Sequence, residues 1–144
     1  MKKYTIMLVE DDELDVMSVR RSLNKLDIPY TLYTAFNGIE ALDMLRGSPG
    51  RQAMDPLPDI ILLDLNMPRM NGLEFLTVLR GDDRLKAIKV FIMTTSGEPG
   101  DRQATEQLGV AGHLIKPMSY GRQYNRKDSM EHFVQFHIRS ILMG

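Results

Sequence analysis

The chain has 144 residues, 43% apolar and 26% charged, the composition of one soluble globular domain large enough to bury its own core. A formal net charge of -1 supplies no basic excess for holding nucleic acid, and zero cysteines exclude disulfides, Cys-zinc centres and thiol catalysis. The apolar run after Met1-Lys2-Lys3 stops at Glu10-Asp11-Asp12, short of a signal-peptide core, and no segment approaches the ~20 apolar residues of a membrane span. The expectation is a cytoplasmic single domain over residues 1–144, with no membrane contact, no direct nucleic-acid contact and no output domain.

In chain order, Tyr4–Val9 is a continuous apolar run, the pattern of a parallel strand covered on both faces. Val16, Val19, Leu23 and Leu26 form a helical stripe that Pro29 closes. Residues 30–34 alternate and predict a strand nearer an edge. Asn37 with Glu40 predicts an N-cap opening a helix with Ile39, Leu42 and Leu45, stopped by Gly47. Residues 47–58, with GSPG and two further prolines, form a long loop.

A third apolar strand covers 60–63. Asn71 and Glu74 repeat the capping pair before Leu73, Leu76 and Leu79, with Gly81 at the end. Residues 90–94 are a fourth strand. A weaker helix over 101–108 shows only Ala104 and Leu108 as a stripe, and Gly109 stops it. Residues 113–115 are the fifth strand, 118–126 a second long loop. Met130, Val134, Ile138, Ile141 and Leu142 predict a final helix capped by Asp128 or Ser129. Five strand–helix repeats give an α/β fold of the flavodoxin-like kind, a doubly wound five-stranded parallel sheet with five helices.

Ligands of such sheets bind at the carboxyl ends of the strands. Four strands deliver chemistry to that rim: Glu10, Asp11 and Asp12 from the first, Asp64 from the third, Thr94, Thr95 and Ser96 from the fourth, and Lys116 from the fifth. Each alone is an ordinary turn, cap or surface residue. Together they are complementary. Crowded carboxylates repel by roughly 4 kcal/mol per pair at 4 Å and an effective dielectric near 20, which a hard divalent cation relieves. Oxygen donors without His or Cys select Mg2+ or Mn2+. A metal, a lysine and a threonine hydroxyl around one carboxylate make a phosphoryl-acceptor site, with the carboxylate as nucleophile.

These residues lie in motifs that resemble the receiver (phosphoacceptor) domain of two-component response regulators. The motifs are VEDD at 9–12, LLDLNMPRMNG at 62–72, MTTS at 93–96 and KP at 116–117, with 30 residues from Asp64 to Thr94 and 22 from Thr94 to Lys116. The long loop before DLNMP is also similar to stand-alone, single-domain regulators of bacterial phytochrome-type kinases. The resemblance implies that Asp64 accepts a phosphoryl group from a histidine kinase or phosphotransfer protein, in a reaction that needs Mg2+ or Mn2+. It implies that Asp11 and Asp64 bind the metal directly, Glu10 through water, and Asn66 through its backbone carbonyl. It implies that Thr94 and Lys116 hold phosphoryl oxygens and that Lys116-Pro117 is a cis peptide. Pro68 and Gly72 would shape the loop after the acceptor, and Asp12 would be a helix N-terminal charge.

One position departs from the pattern: His113 stands where many receivers carry a Tyr or Phe that switches together with Thr94. It is either that switch or a half-exposed strand histidine. The protein would signal to a downstream protein target by phosphorylation-dependent contact, catalysing only its own phosphorylation and dephosphorylation. Docking or homodimerisation would use the face of the fourth helix, fifth strand and fifth helix, the last carrying Phe133, Phe136, Ile141 and Leu142. An aspartyl-phosphate phosphohydrolase would place an acid two residues after its nucleophile, where this chain has Asn66. An FMN carrier would need a phosphate-cradling loop after the first strand, where EDDELD repels phosphate. The intact Asp64, Thr94 and Lys116 argue against a degenerate receiver scaffold.

Overall fold

The computed structural model describes residues 3–24, 29–65, 67, 70–94 and 99–115. Along these runs strands and helices alternate: β1 (Tyr4–Val9), α1 (Glu13–Leu23), β2 (Tyr30–Ala35), α2 (Gly38–Arg46), β3 (Ile60–Asp64), α3 (Gly72–Arg80), β4 (Lys89–Thr94), α4 (Pro99–Gln107) and β5 (Gly112–Ile115). The five strands form one parallel sheet in the order β2-β1-β3-β4-β5. β2 is an edge strand, as its alternation predicted.

The sheet is covered on both faces, which is why its inner strands are apolar without alternation. On β1, Ile6 and Leu8 face one core with Val19 and Leu23 of α1. Met7 and Val9 face the other, with Leu42 and Leu45 of α2 and Phe75, Leu76 and Leu79 of α3. Each such Leu, Ile or Phe contributes about 1.5–3 kcal/mol through burial.

Side chains chosen for the purpose open three helices. Asp12 accepts from the Leu14 amide, Asn37 from the Glu40 amide, and Asn71 from the Glu74 amide, while the Glu74 carboxylate in turn accepts from the Asn71 amide. Each cap is worth about 1 kcal/mol. The Asn37–Glu40 pair therefore caps in one direction only, whereas Asn71–Glu74 is reciprocal.

Some details differ from expectation. Ile39 is 39% exposed rather than part of the core. On α3 the buried stripe runs through Phe75, with Leu73 only partly covered, because helical phase is set by where the sheet lies. α4 begins at Pro99, two residues before the predicted start, since proline is tolerated in a first helical turn. α1 ends at Leu23 with an Asn24 cap, so Leu26 is not in it. Leu26, the 118–126 loop and the final helix lie outside the described residues.

Candidate functional site

β1 and β3 are parallel neighbours with Val9 opposite Leu63, so the residues that follow meet at one rim. Glu10 leaves the end of β1, held by its amide on the Ala35 carbonyl at 2.9 Å, and Asp64 is the last residue of β3. Carboxylate oxygens of Glu10, Asp11 and Asp64 all lie within 4.8 Å of one another. Glu10 is 1% and Asp64 3% exposed, while Asp11 is open to solvent. At that separation and an effective dielectric near 20, the nearly buried Glu10 and Asp64 carboxylates, when ionised, repel by about 3.5 kcal/mol, and solvent screens the pairs with Asp11. Three converging oxygen donors, two of them buried, fit a hard divalent cation.

The backbone around the acceptor position is tightly built. The Gly72 amide donates to the Leu65 carbonyl at 3.0 Å, which lays the first turn of α3 against the end of β3. A Cβ at Gly72 would stand 2.5 Å from the Asp64 carbonyl oxygen and 2.7 Å from the Leu65 Cα. Only glycine fits there.

Asp12 lies beside the cluster without belonging to it. Its side chain caps α1 at 2.8 Å from the Leu14 amide, and its own amide donates to Glu10 Oε2 at 3.2 Å. Thr94 ends β4 one residue beyond Met93, the register partner of Asp64, so its backbone reaches the same rim. His113 sits on β5 opposite Ile92, and its Nε2 is 2.8 Å from Thr105 Oγ1 on α4. Asn66, Pro68, Ser96 and the Lys116-Pro117 pair lie outside the described residues.

A family model for the response regulator receiver domain matches residues 6–126. The chain belongs to the response regulator receiver family. It is 36% identical over 118 residues to the polar-differentiation response regulator DivK of Brucella anthropi, covering 82% of this chain and 88% of DivK. Two solved structures share the fold. The Mn(2+)-bound form of response regulator Rcp1 superposes with a TM-score of 0.78 at 28% identity, over 92% of this chain and 93% of its own. The phosphorylated cyanobacterial phytochrome response regulator RcpA gives 0.77 at 29% identity, over 94% and 96%.

The receiver is therefore a two-component response regulator with kinship to stand-alone and phytochrome-linked regulators. Receivers bind a divalent metal, and the acidic cluster here is of that kind. Receivers work with histidine kinases or phosphotransfer proteins and with downstream targets. Among the described residues no helix is long and apolar enough to cross a membrane.

Two contributions escaped the sequence. Thr105 is fully buried on α4, where Ala104 and Leu108 are only partly covered. The available signal was a polar residue three positions before Leu108, on the same helical face. Arg80 joins separate loops through four backbone carbonyls: Leu108 at 2.7 Å, Lys86 and Ile88 at 2.9 Å, and Gly109 at 3.2 Å. Its burial pulls the guanidinium pKa down, and no sequence motif marks it.

Proposed function

We propose that Asp64 is the phosphoryl acceptor of this receiver, on one observation: a nearly buried carboxylate at the end of β3 shares its oxygens' space with Glu10 and Asp11. The Asp64 carboxylate attacks phosphorus, and the bond to the donor imidazole breaks with its electron pair returning to the ring. Water later cleaves the acyl phosphate. The protein catalyses these two steps on itself and nothing further. When bound, Mg2+, or Mn2+ as in the Rcp1 neighbour, would supply positive charge against the phosphoryl oxygens. Asp11 and Asp64 would hold it directly, Glu10 through water and Asn66 through its carbonyl. Thr94 and Lys116 take phosphoryl oxygens.

The donor is a histidine kinase or phosphotransfer protein. Leu14 and Met17, 67% and 55% exposed on α1 beside the rim, support approach by another protein. Thr94 and His113 form the switch, and output passes from the face of α4 and β5, together with the helix expected near the end of the chain, to a protein target or a second copy. Residues 1–144 act as one receiver domain, in the cytoplasm.

The test is incubation with acetyl phosphate, with and without Mg2+, followed by intact mass and site mapping. The expected result is a Mg2+-dependent adduct on Asp64 that Asp64→Ala abolishes. An unmodified protein, or modification elsewhere, refutes the assignment.

A further inference from the structure

The hydroxyl of Thr105 is the fully buried polar group among the described side chains of α4, and it lies 2.8 Å from His113 Nε2 on β5. A fully buried hydroxyl must be hydrogen-bonded, and here the imidazole is a partner. Three features give this contact leverage. A hydroxyl both donates and accepts, so it serves neutral imidazole in either tautomer and imidazolium alike. The backbone before His113 is pressed onto Phe91, because a Cβ at Gly112 would lie 3.0 Å from that ring. The strand at His113 is thus backed by a close-packed ring, and the side chain is the part of His113 that reaches α4. The carboxyl end of α4 is fixed separately, with Arg80 holding the Leu108 and Gly109 carbonyls. Loss of the Thr105 contact thus removes one tie between the middle of α4 and β5 while the carboxyl end stays held.

We infer that Thr105 is a positioning residue of the switch: it latches His113 to α4 in the resting protein, so that phosphorylation must break this bond to move both. This rests on the proposed phosphorylation of Asp64 and on the proposed switching of His113. Thr105→Val keeps shape and removes the bond, and Thr105→Ser restores it.

The imidazole 15N resonances of His113 would be followed by NMR in the full chain. Affinity for beryllofluoride with Mg2+, a phosphoryl mimic, would be titrated alongside. Thr105→Val is expected to shift the Nε2 resonance and tighten beryllofluoride binding by about two- to tenfold, the range of one net hydrogen bond. Thr105→Ser should behave as wild type, and Thr105→Val should add nothing to His113→Phe. An equal effect of Thr105→Val in the His113→Phe background, weaker binding, or an unmoved resonance overturns the latch. Absence of any Asp64 adduct in the wild type instead overturns the reading beneath it.

Discussion

Removing the charge of Asp64 should make the metal-free protein more stable. Glu10 and Asp64 are both nearly buried, so the 4.8 Å limit on their separation corresponds to about 3.5 kcal/mol of repulsion at an effective dielectric near 20. Asp11 is exposed, and solvent screens its share. Asparagine keeps the shape and acceptor oxygen of Asp64 but loses whatever favourable charge interactions the carboxylate makes, so a net gain of about 2 kcal/mol is expected. For a chain of this size that is roughly 7 °C in Tm. Mg2+ should reverse the order. At a hundred times its Kd a cation adds about 2.7 kcal/mol to a protein that binds it, and Asp64→Asn lacks one ligand. Thermal unfolding followed by circular dichroism, in EDTA and in saturating Mg2+, reads both effects. A variant that melts below wild type in EDTA, and rises equally with Mg2+, would refute the electrostatic account of the cluster.

Gly72→Ala should impair acceptor modification although alanine favours helices by up to about 1 kcal/mol. The added Cβ meets Asp64 and Leu65 backbone at 2.5 and 2.7 Å, so the acceptor's own backbone must shift. Destabilisation of about 1–3 kcal/mol with a slower Asp64 adduct is expected, and urea titration with mass spectrometry checks it. Arg80→Met should cost about 2–4 kcal/mol, because bonds from a charged donor to four carbonyls are lost although some are solvent-facing. Arg80→Lys should rescue little, since a point charge cannot span that fork. Wild-type stability of the lysine variant would contradict this.

The fold was legible because its signals are local. Continuous apolar runs at β1, β3 and β4 and the capping residues Asn37 and Asn71 state their own elements, whereas Asp12, read as a helix N-terminal charge, is also a cap. The acidic cluster was legible too, since in a parallel sheet a strand's last residues reach a known rim. Helical phase was not. Ile39 and Leu73 look as apolar as Phe75, and only the position of the sheet decides which is buried. Arg80 and Thr105 were missed for a related reason: Arg80's partners lie between 6 and 29 residues away and Thr105's 8, and neither a guanidinium on carbonyls nor a hydroxyl on an imidazole leaves a motif.

The amino-acid sequence by itself determined the strand–helix order, the rim chemistry and the family resemblance, all set by spacing along the chain. Tertiary structure decided the rest. It brought Glu10, Asp11 and Asp64 within 4.8 Å, made glycine obligatory at 72, and paired His113 with Thr105. Those are distances between segments, and distance across a sheet follows from register and packing rather than from the residues taken one element at a time.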